Sequence, residues 1–351
     1  MDKQQGEIML GVDTHLEQHV AVLIDDKGKF LATLSIDTNT MGYQHLLIWT
    51  QSFGHVKRAG VEGTGTYGAG LTRFLSEQGI TVFEINRPDR SMRRFRGKSD
   101  PTDAESAART VLAGNPLAIP KSQSGAAEAL RIVSVARRSA VKARTQTINQ
   151  LRGLLISSPD RIRTKLWKSK PAECVKACAH LRTLGESKWM LTLATTLRVL
   201  AKRWLYLNDE LKELDKTLEQ LTQRAAKRMR QQYGVGPQTA ATLLSVAGDN
   251  PERLRSEAAL ASLCGVKPLE ASSGKTIRHR LNQGGNRAAN NALWTIAMVR
   301  MRSDPRTQIY VARRTAEGKS VKEIHRCLKR YIIRELYPII IADLNDAALV
   351  F

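Results

Sequence analysis

The chain has 351 residues, 42% of them hydrophobic and 25% charged, which is ordinary for a globular protein with room for two or three domains. Its charge balance is not ordinary: 55 Lys and Arg stand against 33 Asp and Glu, a formal net of +22. An excess that large implies a polyanionic partner, because each basic group set on a phosphate releases condensed counterions. No stretch reaches the roughly 18 apolar residues of a membrane span, and neither terminus has a dominant apolar helical face. The opening MDKQQGEIMLGVDTH lacks the basic-then-apolar order of a signal peptide. A nucleic acid in the cytoplasm is therefore expected, and no membrane. Cys174, Cys178, Cys264 and Cys327 have no spacing that suits zinc, and His180 near the first two leaves a ligand short.

The first 120 residues alternate β-rich runs with helical stretches. EIMLGVDT (7–14), HVAVLID (19–25) and FLATLSI (30–36) predict three strands, the last two joined by the turn Asp25-Asp26-Lys27-Gly28. A helix near 42–53, a strand over 56–62, a helix over 67–78, a strand over 80–85 and a helix from about 101 follow. Three meandering strands and then αβαβα is the element order of a ribonuclease H-like α/β fold.

Residues 122–165 read as a basic helix. Between Lys121 and Lys165 there are ten Lys or Arg, among them Arg137, Arg138, Lys142 and Arg144, and only two acids, Glu128 and Asp160. Such a face suits a phosphate backbone, although a solvated face has the same composition. Next comes a heptad seam: Leu193, Leu197, Leu200, Trp204, Leu207, Leu211, Leu214, Leu218 and Leu221. Apolar positions alternating by four and three specify a coiled coil, with the 122–165 segment or a second subunit as partner. YGVGPQTAATLLSVAG (233–248) is a glycine turn entering a helix, a weak anion-site signal. Further helices run to the end, interrupted over 267–286 by a polar segment. The expected division is 1–122, 123–228 and 229–351.

Four acids stand out. Asp13 ends an apolar strand and Glu62 ends another, followed by glycines that permit a sharp turn. In the expected fold these strands are neighbours, so both carboxylates meet at one end of the sheet. Asp100 and Asp103 in KSDPTDAE sit three apart at a helix start, where Pro101 is favoured, and can share a side. Together the four would repel strongly unless neutralised, and their oxygen ligands suit Mg²⁺ or Mn²⁺. Two such ions about 4 Å apart support phosphoryl transfer. Singly, Asp13 could cap a turn and Asp100 a helix. GVDT and EGTGT also resemble the phosphate loops of sugar kinases and actin-like ATPases, but the net charge and the lack of a second nucleotide-binding half argue against that class.

With these residues assembled, the chain resembles a DEDD-type transposase of the insertion sequence 110 family or its 1111 relatives. GVDTH, VEGTGTYG and KSDPTDAE match the N-terminal motifs in order and spacing. GVGPQTAATLLSVAG and LASLCGVKPLEASSGKTIRHRLNQGGNRAANNALW match the C-terminal ones. The resemblance implies a RuvC-like domain, a helical coiled-coil insertion and a mostly α C-terminal transposase domain. It also implies a serine that attacks DNA phosphate; the match falls on Ser273, with Ser272 the adjacent alternative. Family members are guided by an RNA encoded by their own element that pairs with target and donor duplex DNA, and they assemble as dimers that pair into tetramers.

Two nucleic acids would account for two further basic clusters: Arg87, Arg90, Arg93, Arg94, Arg96 and Lys98 before Asp100, and Lys275, Arg278, Arg280 and Arg287 around the Ser273 loop. His15, after Asp-Thr, is expected to matter little. The competing expectations are a RuvC-like nuclease that uses water, and a non-catalytic nucleic-acid-binding regulator.

Overall fold

Along the strand Glu7–Thr14 (β1) side chains alternate between two sides of a sheet, and both sides are buried. Ile8, Leu10 and Val12 enter one apolar cluster, and Met9 enters another. The computed structural model describes residues 7–85, 99–114, 118–183, 187–275 and 279–349, which divide into two compact units, Met1–Gln123 and Ser124–Phe351.

In the first unit β1 pairs antiparallel with Gln18–Ile24 (β2), and β2 with Phe30–Asp37 (β3); His55–Glu62 (β4) runs parallel to β1, and Thr81–Ile85 (β5) parallel to β4. The resulting order is β3-β2-β1-β4-β5. Helices Thr40–Gln51 (α1) and Ala69–Glu77 (α2) cover one face through Leu46, Leu71 and Leu75. Asn39 starts α1 by accepting the Gly42 N–H at 2.9 Å. These elements fall within about two residues of those expected.

Asp100–Leu112 (α3) covers the other face. Its Ala104, Ala107, Ala108 and Val111 pack on Met9, Val22, Ile24 and Ile85. The contact is backbone against backbone. A Cβ on Gly11 would sit 2.0 Å from the Ala104 carbonyl oxygen and 2.4 Å from the Ala108 nitrogen; one on Gly60 would sit 2.8 Å from the Ala107 oxygen.

The second unit is mostly helical. Ala126–Ile156 (α4) and Lys188–Ala225 (α7) form a long antiparallel pair, in which Arg137 meets Asp215 and Arg144 meets Asn208. Of the expected seam, Leu197, Trp204, Leu207, Leu211 and Leu218 are buried, and Leu193, Leu200, Leu214 and Leu221 are half-buried. Ala194, Ala201, Thr222 and Ala225 widen the stripe. The heptad pattern is thus taken up by the basic segment of the same chain.

At one end of the pair, Asp160–Leu166 (α5) and Pro171–Ala179 (α6) close a small cluster around Leu151, Leu155, Ile162 and Val175. At the other end, Leu130, Leu218 and Ala225 join one core with Pro237–Ala247 (α8), Glu257–Leu263 (α9), Arg287–Ser303 (α10), Pro305–Ala316 (α11) and Val321–Ala347 (α12). The segments 123–228 and 229–351 therefore share a core. Two distant carboxylates secure that junction. Asp249 accepts the N–H groups of Ala127 and Glu128 at the start of α4, and the buried Asp343 accepts those of Arg228 and Met229. Leu269–Glu270 (β6) and His279–Arg280 (β7) form a short antiparallel ribbon. No helix among the described residues is long and apolar enough to cross a membrane.

Gly11→Ala must push α3 off the sheet. Overpacking of this kind costs about 3 kcal/mol, against about 0.5 kcal/mol gained through the stiffer unfolded chain. The first unit should therefore unfold at a lower urea midpoint with an unchanged slope.

Candidate metal centre and basic surfaces

The parallel register sets Val12 beside Val61, so the C-terminal ends of β1 and β4 come together. The Thr14 hydroxyl ties them by donating to the Glu62 carbonyl at 2.9 Å. Gly11 and Gly60 both face α3, and Asp13 and Glu62, each two residues on, take the same side. The first turn of α3 carries Asp100 and Asp103. Three elements thus carry the four acids expected from the sequence at the same end of the sheet, and of the four only Asp13 and Asp100 are brought within ligand distance of each other among the described residues. Asp13 and Asp103 are buried, Glu62 is half-buried and Asp100 is exposed.

His15 was set aside in the sequence, and the structure brings it to the acids. Its Nε2 lies 3.3 Å from Asp13 Oδ2 and 3.4 Å from Asp100 Oδ2. One ligand atom from each of Asp13, His15 and Asp100 lies within 4.8 Å of the other two. The signal for His15 was its spacing: two residues past Asp13 along extended chain, it falls on the same side.

The acids differ in how far ordinary structure explains them. Asp100 and Asp103 sit in the first turn of a helix, where the helix dipole favours a carboxylate. Asp13, at a strand end and 6% exposed, has no such support. Two carboxylates about 5 Å apart repel by about 3 kcal/mol at an effective dielectric constant of 20. A divalent cation relieves that repulsion, and the donor set fits one. Carboxylate oxygens suit Mg²⁺ or Mn²⁺, and an imidazole beside them suits Mn²⁺ better than Mg²⁺. His19 is a different kind of histidine. It is fully buried, stacked on Tyr43 at 6.0 Å, with burial pushing its pKa down, so it is a neutral core residue facing α1.

Ser272 and Ser273 are exposed in the turn between β6 and β7, in the second unit. Lys275, Arg280 and Arg287 are exposed on or near that ribbon. Arg138 and Lys142 on α4 are exposed to solvent. Arg137 is paired with Asp215, and Arg144 lies over the Trp204 ring at 5.5 Å, so both help hold α4 to α7. Arg87, Arg90, Arg93, Arg94, Arg96, Lys98 and Arg278 lie outside the described residues.

Two family models match the chain. Residues 10–158 match a DEDD transposase model of IS110 type, and residues 226–312 match the Transposase IS116/IS110/IS902 family. Together they cover well over half of the chain. The first match contains Asp13, Glu62, Asp100 and Asp103; the second contains Ser272 and Ser273. No curated protein matches the chain.

Thermal unfolding should register the cluster. A saturating cation, at about a hundred times its Kd, adds about 2.7 kcal/mol to the first unit. Asp13→Asn is expected to abolish the Mn²⁺-induced rise in Tm while leaving the metal-free Tm equal to or above that of the parent. An unchanged Mn²⁺ response would remove Asp13 from the centre.

Proposed function

The chain belongs to the insertion sequence 110 family of DNA transposases, and on that premise we propose that it is an RNA-guided DNA recombinase with a composite site. In this reading the first unit is a RuvC-like domain of ribonuclease H type that supplies metal-binding acids, and the second supplies Ser273 as nucleophile. The observation that carries it is the placement of acids on β1, β4 and α3 at one end of the central strands of a sheet ordered β3-β2-β1-β4-β5. A lone helix-capping aspartate needs no such arrangement.

Asp13, His15 and Asp100 would hold a divalent ion, which when bound would offer positive charge to phosphate oxygens. Thr14 and the Gly11 and Gly60 contacts keep the acids at fixed separation, which is the positioning that phosphoryl transfer needs. The Ser273 hydroxyl forms a bond from Oγ to phosphorus as one DNA P–O bond breaks. Its proton passes to solvent or to the departing DNA oxygen. Attack by a second DNA hydroxyl on that serine phosphate then restores a phosphodiester and the free serine. The number of ester bonds is conserved, so no external energy source enters.

The proposed partners are target and donor duplex DNA and a guide RNA encoded by the same element, in the cytoplasm, with the protein acting as a dimer or tetramer. The net charge of +22 supports polyanionic partners. A second reading, a metal-dependent nuclease using water, is favoured by one fact: Ser273 and the acids belong to different compact units.

A nicked suicide substrate separates the two. The recombinase reading expects a protein–DNA adduct that is lost in Ser273→Ala, with recombination falling by at least about 10³-fold. Asp103→Asn should block cleavage while RNA binding survives. If Ser273→Ala and Ser272→Ala both recombine at the parental rate, the serine mechanism is wrong and the water reading stands.

A further inference from the structure

The second unit contains a cleft of about 810 Å³ between α12, the end of α11, and the loop and ribbon around residues 265–282. One of its walls is β7, the strand that follows the Ser273 turn. Its lining is strongly basic. Arg330 is paired with Glu257, and Arg314 with Glu317. The one acid in the lining, Glu323, is turned into the cap of α12, where it accepts the Ser320 N–H at 2.9 Å. Six cations remain: Lys267, Arg280, Lys319, Arg326, Lys329 and Arg334. Among the described residues none of these six forms an ion pair with a carboxylate within 4 Å, and the nearby Glu323, which Lys319 and Arg326 share, cannot neutralise them all.

Lys329 is the telling one. It is 7% exposed, and its Nζ donates to Asn290 Oδ1 at 2.8 Å. Asn290 is itself fixed, donating from Nδ2 to the carbonyls of Cys264 and Gly265 at 3.0 Å each. An ammonium that is nearly removed from water and answered by one neutral amide is costly. Burial and nearby Arg326 accordingly push its pKa down. A surface lysine meets no such cost, so the position is explained by an anion that enters the cleft.

The rim adds an aromatic face. Tyr331 is 52% exposed, braced edge-on by Tyr310 at 5.8 Å and covered by Arg334 at 5.9 Å. A row of cations beside an exposed ring is how proteins hold single strands, with phosphates on the cations and a base on the ring. A lone inorganic phosphate needs far fewer charges, and a paired duplex offers no free base to the ring.

We propose that this cleft binds the sugar–phosphate backbone of a single nucleic-acid strand, with Lys329 as its buried phosphate anchor and Arg326 and Arg334 along α12 as its outer contacts. Both the guide RNA and a DNA strand opened for exchange carry that backbone. The identity of the strand rests on the recombinase reading, whereas the site itself does not.

Fluorescence anisotropy of the full chain with labelled 20-nucleotide oligothymidine and oligouridine tests the proposal. Lys329→Met, which keeps the side chain's length and removes the charge, should weaken binding about tenfold with Tm unchanged or raised. Arg326→Ala with Arg334→Ala, both exposed and so expected to fold, should weaken it similarly. That pair should also lower the slope of log affinity against log salt by about 1.4, the value for two single-strand phosphate contacts.

Lys212→Ala with Lys216→Ala on α7 removes the same charge elsewhere and should change binding less than threefold. A greater loss for oligouridine assigns the cleft to RNA, a greater loss for oligothymidine assigns it to DNA, and either supports the site. Unchanged affinity in the α12 variants, or an equal loss in the α7 control, overturns it. If the parent forms no serine adduct yet the cleft variants lose strand binding, the proposed function fails and the cleft stands.

Discussion

The separation between α3 and the sheet is the constraint on which the acidic centre depends. Two hydrogens, where other residues carry a Cβ, let the helix backbone rest on β1 and β4. Ala104, Ala107 and Ala108 repeat the economy on the helix side. Because the helix lies so low, its first turn reaches the height of the strand ends, and Asp100 comes within 3.4 Å of His15, beside Asp13. A helix held off by ordinary leucines would ride several ångströms higher and carry Asp100 with it. The geometry of the acidic cluster is a by-product of close packing.

Each unit buries a charged side chain. In the first it is Asp13, close to further carboxylates; in the second it is Lys329, answered by an amide. Burying either is costly, and the two charges have opposite signs. The stability lost at such positions is the usual mark of a site made for a ligand.

Much of the first unit was legible because its signals are local. Strand alternation, the turn at Asp25 to Gly28, and carboxylates at strand ends all lie within a few residues of what they determine. The leucine seam was legible as a seam. Its partner was not, since heptad spacing says nothing of chain direction; contacts such as Arg144 with Asn208 and Trp204 are set by tertiary pairing. His15 was missed because a histidine after a strand has no meaning until Asp100 arrives from 85 residues away. Lys329 was invisible for the same reason: in HRCLKRYIIRE it is one base among several, and only the fold buries it while leaving Arg326 and Arg334 in water.

The helix pair has a mechanical consequence. Helices of 31 and 38 residues extend about 45 and 55 Å at 1.5 Å per residue. Arg137 and Arg144 stitch them along their length, and the far end is fastened by its own cluster and by Arg152, which stacks on Trp167 and donates to the Ser169 carbonyl. A rod clamped in this way bends little, so strain applied at either end is transmitted. A tilt of a few degrees at the base, where Leu130 and Leu218 enter the main core, swings the tip through several ångströms. The pair is therefore a lever, and the stiffness that makes it one comes from the Arg137 and Arg144 contacts and from the leucines of the heptad seam.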